Sequence, residues 1–241
     1  SHVVLVTGKR GSGKSSSLGV MAEEMASLPK EVSKNLAVVI IDTMGIFWTM
    51  KFPNKRDEHL LKDWNIKPKG FDVKIYVPAG YYPDYKKKGI PADFNFSIRT
   101  SELNSSDWCN VFGIKLNGSL GSLIDRVIRN MKNDYSLKDI IKAVVRDKKA
   151  ERKAKNALEN RLLAADSWGI FSKEGSKLES LVKNGQITIF DVSQYTNVSG
   201  NWGIKGLVIG IIARKLLAER IAGRKQEEME RNRLMELAAI C

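Results

Sequence analysis

GKRGSGKSSS, residues 8–17, follows the short apolar run His2-Val3-Val4-Leu5-Val6. Gly8, Gly13, Lys14 and Ser15 fall on every required position of the pattern G-x-x-x-x-G-K-[ST]. Glycines let successive backbone N–H groups turn inward, and a helix beginning near Lys14 adds the positive end of its dipole at the same place. Such a loop is built to cradle phosphate. Lys14 is expected to reach the β- and γ-phosphates of a nucleoside triphosphate, and the Ser15 hydroxyl to ligate Mg²⁺. Gly8, Lys9, Arg10, Gly11, Ser12, Gly13, Lys14, Ser15 and Ser16 form the candidate binding set for ATP, with Lys9 and Arg10 read as facing solvent. The alternative, a glycine–serine turn that happens to carry a lysine, does not account for the apolar strand signal before it and the helical signal after it.

Working outward, strand and helix signals alternate, which predicts an α/β fold with a mainly parallel sheet. Val3–Thr7 reads as a buried strand, and Leu18, Met21, Met25 and Leu28 recur at helical spacing up to Pro29. Further strands are expected at 36–41, 73–77, 94–98 and 186–190. Helices are expected at 105–112, 119–131 and 136–146, the last opened by a capping box of Ser136 and Asp139. Residues 147–161 are strongly basic. A final helix begins near Gly203 with Ile204, Leu207, Val208, Ile211 and Ile212 on one stripe. The expected organisation is an ATPase core of residues 1–104 and 185–241 with a helical insert at 105–184.

The chain has 241 residues and a net charge of +13, which favours polyanionic partners. Cys109 and Cys241 lie far apart without metal-ligand spacing, so a reducing, cytoplasmic setting is expected. No apolar run approaches the roughly 20 residues of a membrane span. The chain enters a strand signal almost at once and stops within a polar helix, so a fragment of something longer is expected.

P-loop hydrolases need a strand-ending acid to orient Mg²⁺. Asp42 ends Ile40-Ile41-Asp42 and Asp191 ends Ile189-Phe190-Asp191, but the residues that follow are Thr43 and Val192 rather than Glu. For each, the competing reading is a carboxylate that caps the next turn. The Asp57-Glu58 pair has no apolar run before it.

The stretches GKRGSGKSSSLGVMAEEM (8–25), AVVIIDTMGIFW (37–48), ITIFDVS (187–193) and GIKGLVIGIIARKLLAERIAGRK (203–225) resemble the ATPase domain of the HerA/FtsK superfamily, in particular archaeal HerA-like ATPases. The resemblance implies a RecA-like P-loop NTPase domain assembled into hexameric rings that use ATP to move along double-stranded DNA. It also implies work with a NurA-like nuclease at DNA ends. Members carry an N-terminal β-barrel and a Walker B strand ending in Asp-Glu. Neither is found in this sequence, so a chain that binds ATP but hydrolyses it poorly is expected. Carried over residue by residue, Gly8, Gly11, Gly13, Lys14 and Ser15 hold the nucleotide, and Asp42 joins Lys14 as a candidate catalytic residue. Arg161 and Arg214 are candidate arginine fingers, with surface ion pairing as the alternative.

Two other functions share the same loop: a small-molecule kinase, for which no arginine-rich lid segment is found, and a nucleotide-binding interaction module without turnover. The basic run Lys148, Lys149, Arg152, Lys153 and Lys155 is a candidate DNA contact. Tyr81, Tyr82 and Tyr85 beside Lys86–Lys88 read as tyrosines packed on a sheet edge, or as a base-stacking loop.

Overall fold

Apolar residues on both faces of a strand demand cover on both faces, and three runs of this chain have that character. In the computed structural model, which describes residues 4–132, 134–177, 181–196 and 202–238, these runs form three adjacent strands of a parallel sheet. Strands β1 (Val38–Asp42), β2 (Val73–Pro78) and β3 (Phe94–Phe96) precede the short β4 (Ile98–Arg99) and β5 (Phe171–Ser172), and β6 (Ile187–Asp191) comes last. The sheet order is β1-β6-β2-β3, all parallel, while β4 and β5 pair separately. β1, β2, β3 and β6 lie within one or two residues of their expected positions, β5 was not expected, and the expected α/β class holds.

Period-two alternation sorts the side chains into two layers. Val73, Ile75, Val77, Ile187 and Ile189 face one side. There they meet Ala22 of helix α1 (Lys14–Ser27), Met50, and Tyr85 of helix α4 (Tyr82–Lys88). Tyr76, Phe96 and Phe190 face the other. That side is covered by α5 (Ser105–Phe112), α6 (Ser119–Asn130), α7 (Leu137–Arg146), α8 (Arg152–Asp166) and α9 (Trp202–Ala238). The short helices α2 (Lys30–Ser33) and α3 (Glu58–Asp63) complete the chain. The helices of the 105–184 region therefore share one apolar core with the sheet and with Ile204, Leu207, Val208, Ile211 and Ile212 of α9. The expected capping box is present: Asp139 N–H donates to the Ser136 hydroxyl, and Ser136 N–H donates to the Asp139 carboxylate.

Two expectations at the start of the chain fail. Residues 4–7 form no strand; Val4 and Leu5 are 71% and 84% exposed. Val3 lies outside the described residues. In α1 only Ala22 is buried, while Leu18, Met21, Met25 and Leu28 remain exposed. The physical reason is neighbourhood. β1 is an edge strand whose outer side pairs with nothing among the described residues, so residues 4–7 and most of α1 have no apolar surface to meet.

The basic segment is partly tied into the fold. Arg126 holds Asp147 through paired bonds of 2.7 and 2.9 Å, and Lys155 Nζ donates to the Val145 and Asp147 carbonyls at the end of α7. The Arg126 guanidinium, helped by the Ala150 and Lys149 amides, holds the Asp147 carboxyl well below its ordinary value of 3.8. A depressed carboxyl contributes stability above that ordinary value and loses it as pH falls toward its folded one. We therefore expect Arg126→Ala to lower Tm by about 2–4 °C at pH 7. Thermal melts at falling pH should show that deficit shrinking below about pH 4, where Asp147 begins to protonate in the unfolded chain. No helix among the described residues is long and apolar enough to cross a membrane.

Candidate nucleotide site

The loop of residues 8–13 closes as a turn, with Ser12 N–H donating to the Lys9 carbonyl at 3.2 Å. It then runs directly into α1, whose first interior bond is Ser17 N–H to the Gly13 carbonyl at 2.9 Å. Gly11 and Gly13 both have φ of 82°, the left-handed region that a side chain disfavours. Gly13 is the residue preceding the helix, and no side chain caps its exposed amides. The Lys14 ammonium folds back over the loop to the Lys9 carbonyl at 2.7 Å. Backbone turn, helix start and lysine thus converge as the spacing predicted. Lys9, Arg10, Ser12, Ser15 and Ser16 are exposed and Lys14 is half-buried. Helix N-terminus, left-handed glycines and a neighbouring ammonium are the donor set a triphosphate requires, so the residues fit that ligand. Ser15, the hydroxyl expected to ligate Mg²⁺, is exposed in the first turn of α1. No group of three or more His, Cys, Asp or Glu residues that could hold a metal exists among the described residues.

The strand-ending acids lie side by side, since Asp42 and Asp191 are register partners across β1 and β6. Both are buried. In the structure the Asp42 carboxylate is engaged by the turn that follows β1. Its Oδ1 accepts from Met44 and Gly45 N–H at 3.0 and 2.7 Å, and its Oδ2 from Ile46 and Phe47 N–H at 2.7 and 2.8 Å. Asp42 is therefore the cap of the turn leading into the 3₁₀ helix Phe47–Lys51, which was the competing reading of this residue. Asp191 accepts the Tyr85 hydroxyl at 2.8 Å and the Ser193 N–H at 3.0 Å. Burial and the Asp191 charge push the Tyr85 hydroxyl far above its ordinary range, so it stays protonated and donates.

Two members of this cluster escaped sequence reasoning. Tyr85 was read as one of three edge tyrosines, although its position in α4 turns it alone toward the strand ends. Lys205, at the start of α9, donates to the Thr43 carbonyl at 3.0 Å and ties α9 to the turn that Asp42 caps. A lysine in the first turn of an apolar helix was the available signal.

The other sequence-singled residues lie apart. Tyr81 meets Tyr195 edge-on at 5.5 Å, and Tyr82 donates to the Asp93 carbonyl, so the tyrosines pack as the edge reading expected. Arg214 pairs with Asp107 at 3.2 Å, and Arg161 donates to the Ala157 carbonyl. Both candidate fingers are engaged within the chain. Cys109 is buried, and burial raises its thiol pKa; Cys241 lies outside the described residues.

The family model described as the central domain of helicase HerA matches residues 1–209. No curated protein and no solved structure matches the chain. A parallel sheet flanked by helices, entered through a phosphate-type loop, agrees with that match over most of the sequence, and the chain belongs to the HerA helicase central-domain family.

Proposed function

We propose that the chain is the ATP-binding core, residues 1–104 and 185–241 with an insert at 105–184, of a cytoplasmic, DNA-translocating ring ATPase. In this reading it assembles as a hexamer, moves on double-stranded DNA and serves a NurA-like nuclease. The observation that carries it is the turn of Gly11 and Gly13 into α1 beneath the Lys14 ammonium, within a chain of this family. Bound ATP with Mg²⁺ supplies the phosphoryl group whose hydrolysis drives movement. The part of this chain is to hold its phosphates on the amides of residues 8–15, to neutralise their charge with Lys14, and to offer the Ser15 hydroxyl to the cation.

Slow turnover follows from the strand-end cluster. Asp42 is saturated by four amides, and Asp191 is engaged by Tyr85 and Ser193. Asp42 therefore has no acceptor site left to order an attacking water, and Asp191 keeps only part of its capacity. The same observation favours, as second reading, a nucleotide-binding module without turnover; comparing ATP binding with phosphate release separates the two.

DNA binding is supported by the net charge of +13 and by exposed Lys148, Lys149, Arg152 and Lys153, which form no ion pair among the described residues. Affinity for duplex DNA, followed by anisotropy, should fall about 10³-fold or more between 50 and 200 mM salt if six or more phosphates are contacted. Affinity that does not change over that range would sink the DNA reading.

A further inference from the structure

Between Met50 and Phe71 the chain leaves the fold and returns. Phe71 N–H donates to the Met50 carbonyl at 2.9 Å, and Gly70 passes so close to the Lys51 carbonyl that a Cβ there would collide with it. This neck closes off residues 52–69, none of which is buried. The excursion nonetheless carries four large exposed apolar side chains: Phe52 at 54%, Leu60 at 53%, Trp64 at 79% and Ile66 at 54%. A structured protrusion that keeps its apolar groups out of its own core offers them to a partner.

Its end is shaped rather than slack. Helix α3 closes with Asn65 N–H bonded to the Lys62 carbonyl at 3.0 Å and Ile66 N–H to the Leu61 carbonyl at 2.9 Å. Asn65 takes φ of 55°, so the turn is a Schellman motif that sets Trp64 at the helix terminus. Beside it, Lys55, Lys62, Ile66 and Lys67 line an open cavity of about 550 Å³ together with Glu58, which pairs with Lys62 at 3.9 Å. Lys55, Arg56 and Lys67 form no ion pair among the described residues, while the neighbouring Asp57 is engaged by Asn54. The arm thus carries an exposed indole and three exposed cations without ion pairs, a combination that suits a polyanion with exposed ring faces.

We propose that the 52–69 protrusion is a contact arm for nucleic acid with unpaired bases: Trp64 stacks on a base, and Lys55 and Lys67 hold the adjacent phosphates. Duplex DNA keeps its base faces stacked inside, so the arm distinguishes opened or single-stranded ends from the duplex that the rest of the surface tracks. The proposal rests on the DNA reading for its partner class.

The test is anisotropy with labelled oligo-dT and with a duplex of equal length, on the full chain. Trp64→Ala should weaken oligo-dT binding about tenfold, Trp64→Phe should retain most of it, and both should leave duplex and ATP binding unchanged. Lys55→Ala with Lys67→Ala should lower the salt slope for oligo-dT by about 2. No buried group is altered, and unchanged melting of each variant confirms its fold. Oligo-dT affinity equal in Trp64→Ala and the parent, with duplex binding intact, overturns the arm and leaves the DNA reading standing. A parent chain that binds neither strand form removes both. A change of sedimentation in Trp64→Ala without DNA would make the arm a self-association surface and overturn the proposal.

Discussion

Lys14→Ala lowers affinity for ATP about 10- to 150-fold in titration calorimetry, and leaves thermal stability unchanged. The magnitude follows from the chemistry of the contact: a hydrogen bond with a charged partner contributes about 1.5–3 kcal/mol, and each 1.4 kcal/mol is tenfold in affinity. Stability is spared because Lys14 is half-buried and its partner in the fold is the Lys9 carbonyl, which water can satisfy after truncation. The loop's turn is held by Gly11, Gly13 and the Ser12-to-Lys9 bond, none of which involves the lysine side chain. Lys14→Arg keeps the charge but spreads it over a planar fork, and should restore only part of the affinity. Binding that survives Lys14→Ala undiminished would mean that the anion sits elsewhere.

Asp42→Ala has the opposite profile, with a large loss of stability. Truncation leaves the Met44, Gly45, Ile46 and Phe47 amides without their acceptor. Each orphaned buried donor costs about 1–3 kcal/mol, but this turn is only partly buried and water reaches some of it, so the expected total is about 3 kcal/mol. For a chain of this size that corresponds to a fall in Tm of about 6–12 °C. Asp42→Asn should recover only part of that loss, since its carbonyl oxygen can accept from two of the four amides while its NH2 faces two N–H groups that also donate. The turn also carries the Thr43 carbonyl that receives Lys205, so loosening it weakens one tie between the start of α9 and the turn after β1. Thermal melts of both variants beside ATP titrations decide the role of this residue. A catalytic Asp42 would leave Tm in place and change turnover; a cap does the reverse.

These two residues show where sequence reading succeeds and where it stops. Lys14 was legible because its surroundings are covalently local. Gly11 and Gly13 adopt angles that glycine alone takes easily, and the helix begins at the next residue whatever packs around it. The central strands were legible for a similar reason, because Val38–Asp42, Val73–Pro78 and Ile187–Asp191 are apolar on both faces and only a covered parallel strand uses such a run. The capping box at Ser136 is local as well. By contrast, Val4, Leu5, Leu18 and Met25 have the pattern of buried residues and are exposed. Periodicity states which side of an element can be buried, and a neighbour must then supply the surface.

The sequence by itself determined the phosphate loop, the parallel sheet and the pair of acids at its strand ends, since backbone angles and alternation act over a few residues. Only the tertiary structure decided what surrounds those acids: it set Asp42 beside Asp191 across two strands far apart in sequence, brought Tyr85 to Asp191 and Lys205 to the Thr43 carbonyl, and closed the neck of the 52–69 arm. Hydrogen bonding across the sheet and burial against distant elements depend on the whole fold, and no stretch of residues carries that information alone.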